Sequence, residues 1–233
     1  MKEAAVIVDP RDRPAYPMRD AAGYLRVPVS TLRLWTLGQR YDTRRGGGRF
    51  ARPLFNLASR KPPTLSFWNV VEAYVLASLR RHHEVPMQKV RRALDYVERR
   101  LGVDRPLIQK VFLTDGVSLF LEGYCELVTV SAEGQLACRR LLEGSLRRVD
   151  RDLNGLALRV YPWVNSPDEP KHILIDPKRA FGRPIVSGTG ISTSIIVERF
   201  RAGDSIAHLA EDYRLTPEQV ETALRWETHG AVA

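Results

Sequence analysis

The chain has only two cysteines, Cys125 and Cys138, in 233 residues. Two thiols cannot build a disulfide framework or a four-cysteine zinc site. No run approaches the roughly 20 apolar residues of a membrane span. The opening stretch, MKEAAVIVDPRDRPAYP, lacks the long apolar core of a secretory leader. These deficits predict a soluble protein of a reducing cytoplasm with no membrane partner. Catalytic patterns are scarce as well. Gly46-Gly47-Gly48-Arg49 is not followed by Gly-Lys-Ser/Thr, so it is not a phosphate loop. No Ser/His/Asp or Cys/His grouping has a supporting spacing. His82-His83, His172, His208 and His229 have no metal-ligand spacing. The expectation is no catalytic residue, no metal, no cofactor and no enzyme activity.

What the chain has is positive charge and enough apolar material for a core. Hydrophobic residues make up 44%, which argues against disorder. Lys and Arg number 36 against 27 Asp and Glu, a net charge of +9. That balance concerns partners rather than fold, and it makes a polyanion such as nucleic acid plausible. The charge is uneven. Residues 190–233 hold four Arg and seven acidic residues, a net of −3, so residues 1–189 carry +12. Between Arg40 and Lys61 seven cations face only Asp42, a local net of +6.

Periodicity predicts an α+β, mainly helical chain. Residues 1–16, with two Pro, read as a flexible arm. Residues 17–104 read as one unit. Ala21, Ala22 and Leu25 share a helix face, Arg26-Val27-Pro28 interrupts it, and Val29, Leu32 and Trp35 begin a second short helix. Pro28 suits that helix's start, where a missing N–H costs little. Gly46-Gly47-Gly48 then allows a tight reversal, with Arg44 and Arg45 before it and Arg49 and Arg52 after it. This is a basic hairpin, or wing. Two longer helices follow, the first capped by Ser66, the second running from Pro86 to Leu101 and ended by Gly102. Residues 105–166 read as a β-rich middle segment and linker. KVFLT, VSLFLEG and CELVTVS have strand character around an Asp115-Gly116 turn, giving a central β-hairpin region. NSPDEPK marks a boundary near Pro167. Residues 167–233 read as a short strand pair followed by three helices. The last of these opens with a Thr216-Pro217-x-Gln219 capping box, which makes a second helix-turn-helix-like unit.

In a helix-turn-helix the second helix enters the major groove and its early residues meet base edges. Here those are Ser30, Thr31 and Arg33, while Leu32 and Trp35 face the core. Arg can bond guanine bidentately, and the wing Arg44, Arg45, Arg49 and Arg52 can each neutralise a backbone phosphate. PMRDAAGYLRVPVSTLRLW, the Gly/Arg wing and LSFWNVVEAYVLASLRRHHEVPMQKVRRALDYVERRLG together resemble the winged helix of MerR-type regulators. Ala22, Leu25, Val27, Thr31, Leu32, Arg33 and Trp35 carry the match. Arg26 stands where that pattern has Gly, Pro28 stands where it has a Ser cap, and its long dimerising helix is not visible after Gly102.

The C-terminal segment is similar to a small domain of VapB-type antitoxins, on Asp176, Pro177, Gly182, Pro184, Gly188, Thr189, Ile191, Ala202, Gly203, Leu215, Thr216, Val220, Ala223 and Leu224. Gly190 departs from that family's frequent Arg. The resemblance implies a partner, a PIN-type ribonuclease toxin with clustered carboxylates and a metal ion, into which the antitoxin can place an Arg. It implies a homodimer that binds double-stranded operator DNA and autoregulates. Ile191, Arg199, Arg201, Arg214, Arg225 and Trp226 are the candidates for toxin binding or dimerisation, with Arg225 preferred for the carboxylates. Glu218, Glu221 and Glu227 on the last helix would repel phosphate, which favours a protein partner there. The alternative is a free-standing MerR-like regulator without a toxin, whose back half senses a small molecule.

Overall fold

The computed structural model describes residues 9–42, 47–82, 87–127 and 131–230. It is α+β, with short antiparallel pairings around a mainly helical body. β1 (Tyr16–Pro17) leads into α1 (Met18–Leu25) and α2 (Val29–Leu37). β2 (Gln39–Asp42) and β3 (Gly48–Ala51) form a hairpin, with Arg40 opposite Phe50 and Tyr41 opposite Arg49. β4 (Ser59–Arg60) and β5 (Pro63–Leu65) join β1 in a three-stranded sheet ordered β1-β5-β4.

The centre is α3 (Phe67–His82), whose Val70, Val71, Ala73, Tyr74, Val75, Leu76 and Leu79 are all buried. A helix apolar on every side belongs in a core. Ser66 caps it as expected. Its Oγ accepts from Asn69 N at 3.1 Å, and Asn69 Oδ1 accepts from Ser66 N at 3.1 Å. Glu72 is a charge buried within α3, at 2% exposure. Arg105 answers it, donating from Nε and Nη2 at 2.9 and 2.8 Å, and its Nη1 donates to Asp12 at 2.6 Å. α4 (Met87–Leu101) packs against this body through Val90, Ala93, Leu94 and Val97. It ends at Gly102, which takes the left-handed φ of 63° expected of a helix terminator.

The middle segment corrects the sequence reading. Residues 112–125, expected as strands, are helical. A π-turn (Phe112–Gly116) runs into α5 (Val117–Cys125). Residues 128–130, also in the expected strands, lie outside the described residues. The Asp115-Gly116 pair sits inside the π-turn rather than at a reversal. Val117, Phe120, Leu121 and Tyr124 are buried at helical spacing, and β-branched and aromatic residues are helical here because packing against α4 outweighs propensity. Gly123 permits that approach, since a Cβ there would lie 2.9 Å from the Tyr96 ring. α6 (Ala132–Leu146) follows. Among the described residues of 105–166 the named strands form one hairpin, β6 (Val149–Arg151) with β7 (Ala157–Val160), and Gln109 bridges to Leu156.

The segment expected as a flexible arm and the one expected as a linker are both pinned where described. In the described part of the N-terminal arm, Arg11 bonds Asp9 at 2.7 Å and Asp152 at 2.7 Å, and it lies over the Trp68 ring at 5.1 Å. In the NSPDEPK stretch, the buried Arg148 guanidinium donates to the carbonyls of Tyr161, Pro167 and Glu169 at 2.6, 3.1 and 2.5 Å. Beyond it, β8 (Ile173–Leu174) pairs with β9 (Ile185–Val186). Ile175 bridges back to Val160. α7 (Thr193–Arg201), α8 (Ile206–Tyr213) and α9 (Pro217–Gly230) enclose a second apolar core of Ile173, Val186, Ile196, Leu209, Leu215, Val220, Ala223 and Trp226. The capping box of α9 forms as read. Gln219 N donates to Thr216 Oγ1 at 3.2 Å, and Thr216 N donates to Gln219 Oε1 at 2.8 Å. No described helix is long and apolar enough to cross a membrane.

Candidate nucleic-acid interface

α1, its turn and α2 stand on buried Ala21, Ala22, Leu25, Val27, Leu32 and Trp35. Their position is therefore fixed by the first core. Arg26 makes the turn in the left-handed region, at φ 53° and ψ 45°. Val27 N closes it on Ala22 O at 3.1 Å, and Arg26 N on Gly23 O at 3.1 Å. Pro28 occupies the N-cap of α2 with no side-chain cap, and its carbonyl accepts from Leu32 N at 3.1 Å. Of the three expected base readers, Ser30 and Arg33 are exposed. Thr31 is not available: it is buried at 7% exposure beside Leu32 and Trp35. Its position places it on the inner edge of the helix.

The hairpin after α2 is exposed along both strands. Gly38 sets its departure, with φ 75°. A Cβ there would sit 2.3 Å from Ala51 O and 2.7 Å from the Phe50 ring. Arg49 and Arg52 are exposed on its returning side, as is Arg40 on the outgoing strand. Arg44 and Arg45 lie outside the described residues. The hairpin also displays Tyr41 and Phe50, the latter 54% exposed. A cleft of about 680 Å³ joins it to the start of α4, lined by Leu34, Tyr41, Phe50, Arg52, Lys89, Arg91 and Arg92 among others. The sequence reading missed Lys89 and Arg92 as members of this basic surface. It used only the apolar stripe of α4, although the opposite face of the same 3.6-residue period carries both. Burial holds the Arg91 guanidinium below its ordinary pKa.

The back of the helix-turn-helix meets the C-terminal helices. The Arg26 guanidinium lies 4.5 Å over the Trp226 ring, and Nη2 donates to the carbonyls of Trp226 and Arg225 at 3.1 and 3.4 Å. Those carbonyls lie towards the end of α9, the electronegative end of a helix. Beside this contact lies a cleft of about 650 Å³ lined by Arg19, Asp20, Tyr24 and Arg33 on one wall and Glu198, Arg201 and Glu227 on the other. Arg33 therefore faces both solvent and the C-terminal unit. Glu227 also accepts from Thr193 Oγ1 at 2.5 Å, which ties α9 to α7.

Of the six C-terminal candidates, Arg201 and Trp226 line that cleft. Trp226 is 3% exposed, inside the second core and under Arg26, so it does not serve as a surface anchor. Ile191 is half-buried against the same core. Arg199 is engaged within the chain, with Asp204 at 2.6 Å, Asp212 at 2.7 Å and the Tyr213 ring at 5.2 Å. Its contacts with Tyr213, Asp204 and Asp212 raise its pKa, and its guanidinium holds the Asp212 carboxyl below its usual value. Arg201 and Arg214 are exposed, Arg214 as the left-handed cap of α8. Arg225 is exposed and donates to Thr222 Oγ1 at 3.3 Å. Among the described residues no group of three or more His, Cys, Asp or Glu is arranged to hold a metal ion.

Two family models match separate parts of the chain. Residues 14–94 match the family described as "Putative DNA-binding HTH domain", and residues 173–226 match the one described as "Protein of unknown function (DUF433)". Over 232 residues the chain is 29% identical to the Mycobacterium tuberculosis protein named "Putative antitoxin VapB45", covering 91% of this chain and 93% of that one. It is 26% identical over 220 residues to "Uncharacterized protein Rv2308" of the same organism, covering 91% and 90%. The crystal structure of Rv2018 from Mycobacterium tuberculosis has the same fold, with a TM-score of 0.65 at 24% identity over 91% of this chain and 97% of that one.

Proposed function

We propose that this chain is an antitoxin that represses its own operon. Its α1–α2 unit and basic hairpin bind operator DNA, and its C-terminal unit holds a PIN-type ribonuclease toxin. One observation carries the DNA half: Ser30 and Arg33 of α2 and the Arg-bearing hairpin are exposed on a rigid buried base. Arg33 reads a base edge, and Arg49, Arg52, Lys89 and Arg92 grip phosphates on either side. A homodimer would place two such units on half-sites about one helical turn apart, or a multiple of that. The toxin half rests on similarity along nearly the whole chain to the protein named an antitoxin. Arg201, Arg214 and Arg225 are the exposed cations there for a carboxylate-lined nuclease site. The two-stranded hairpin directly after α2 supports reading the front unit as a MerR-like winged helix.

The test is co-expression with the protein encoded beside this chain, together with operator titration across salt. A stable complex, growth rescue and a steep salt slope are expected. Replacing Arg44, Arg45 and Arg49 by Ala should reduce the slope of log K on log salt by about 0.9 per lost phosphate contact. No complex and no rescue would refute the antitoxin reading. An unchanged slope would refute the wing as a phosphate clamp. A second reading, a free-standing MerR-like regulator, is favoured by a cavity of about 410 Å³ between loop 53–58 and α4, lined by Asp12, Glu72, Asp95, Glu98, Leu94 and Leu107 among others. Ligand-dependent operator binding without any protein partner would select it.

A further inference from the structure

Between β8 and β9 the chain displays a side chain that the rest of the molecule does not use. Phe181 is 96% exposed. Its backbone is left-handed, at φ 55° and ψ 32°. It is the middle of three such residues in succession, with Ala180 at φ 45° and Gly182 at φ 77°. Only glycine adopts that region without strain, so Ala180 and Phe181 both hold an unfavourable conformation. Observed strain of this kind points towards function rather than towards packing.

The segment is nevertheless firmly held. The buried Asp176 accepts from Lys178 N at 2.8 Å through its side chain, and from Arg179 N at 3.0 Å through its carbonyl. Gly182 N closes on Arg179 O at 2.8 Å, and Arg183 N on Ala180 O at 3.1 Å. Gly182 is wedged against Tyr16, whose hydroxyl oxygen would lie 2.2 Å from an added Cβ. The loop is thus a rigid knob anchored to β1. Lys178, Arg179 and Arg183 flank the ring in the chain, all exposed. Among the described residues no carboxylate comes within ion-pair distance of any of the three.

An aromatic held rigid in solvent and flanked by exposed cations outside any ion pair fits the chemistry of an interface anchor. Aromatic and Arg residues concentrate binding energy, and a pre-ordered loop loses little entropy on docking. We propose that the loop Lys178–Arg183 is the docking knob of the C-terminal unit. Phe181 enters an apolar pocket on a protein partner, and Lys178, Arg179 and Arg183 meet carboxylates on that pocket's rim. A folded protein fits better than nucleic acid. A polyanion lying across this unit would run against the −3 balance of residues 190–233, whereas a pocket needs only local complementarity. The assignment rests on the antitoxin reading above for the identity of that partner.

The test uses the full chain co-expressed with the protein encoded beside it. Phe181→Gly removes the ring and relieves the strain, so its unfolding temperature should equal or exceed that of the parent. Its affinity for the neighbour protein should fall by about 30-fold or more, as for loss of an anchor residue. Arg179→Glu with Arg183→Glu should slow association and remove its salt dependence. Operator binding should stay unchanged in both variants. If the parent holds the neighbour protein and Phe181→Gly holds it equally well, the knob is refuted and the antitoxin reading stands. If the parent itself forms no complex, the antitoxin reading fails and takes this assignment with it. If the variants lose DNA affinity and keep the protein complex, the knob serves nucleic acid and the proposal is overturned.

Discussion

Arg26 links the two ends of the chain, and replacing it gives a quantitative check on that link. Arg26→Ala keeps a Cβ in the left-handed turn but removes the guanidinium from Trp226. The lost cation–π contact is worth about 0.5 to 2 kcal/mol in this half-buried setting. The charged hydrogen bond to Trp226 O, at 3.1 Å, adds about 1.5 kcal/mol. The longer one to Arg225 O, at 3.4 Å, adds little. Arg26→Ala should therefore destabilise by about 2 to 3 kcal/mol. Arg26→Gly loses the same contacts but relieves the positive φ, recovering about 1 kcal/mol. The expected order is parent, then Gly, then Ala. Urea unfolding of the three proteins measures it. A cycle combining Arg26→Ala with Trp226→Leu should return a coupling of about 1 kcal/mol, since the pair is in contact. If Gly and Ala unfold together within about 0.5 kcal/mol of the parent, the contact holds nothing. If Gly proves more stable than the parent, the turn is strained for no structural return.

Four further outcomes follow from the geometry. Arg33→Ala should relax operator preference at one base pair by about 1 to 3 kcal/mol, read as competition between site variants; a uniform loss across sequences would reassign it to phosphate. Gly38→Ala should displace the hairpin, because its Cβ would meet Ala51 O at 2.3 Å, and it should weaken DNA binding more than global stability. Arg105→Met should cost about 3 to 5 kcal/mol in denaturant, because it strands the buried Glu72 carboxylate; Glu72→Gln in the same background should restore much of that. Stability should also fall in acid. Arg11 holds the Asp9 carboxyl low. Burial pushes Asp152 and Glu169 up, but hydrogen bonds outweigh it: those from Leu156 N–H and Arg11 for Asp152, and from Val164 and Asn165 N–H for Glu169. Each folded value lies below the ordinary 3.8 or 4.5, so this stability is complete above those values and is lost as pH falls through the folded ones. Thermal midpoints should be flat from about pH 7 to 5 and drop below about pH 4; a drop already at about pH 6 would contradict it.

The sequence by itself determined the helices of the two ends. Their signals are local: an apolar stripe at 3.6-residue spacing, Ser66 and Thr216 as caps, and Gly102 as a terminator each act within one or two turns. It also pointed to the hairpin, because three consecutive Gly permit a tight reversal between basic arms, and it located the positive charge. Tertiary structure decided everything that depended on a distant neighbour. The segment 107–131 is rich in β-branched and aromatic residues, which favour strands locally, and packing against α4 makes α5 a helix; the exposed Ser118, Glu122 and Glu126, four residues apart, carry its period. Thr31 and Trp226 look like surface readers in one dimension and are buried because other elements cover them. Arg11 and Arg148 look like solvated charges until the carboxylates and carbonyls they hold are brought to them. Arg26 reads as a misfit at a glycine position; only the fold, by placing α9 about 200 residues away in sequence behind the turn, gives that arginine something to hold.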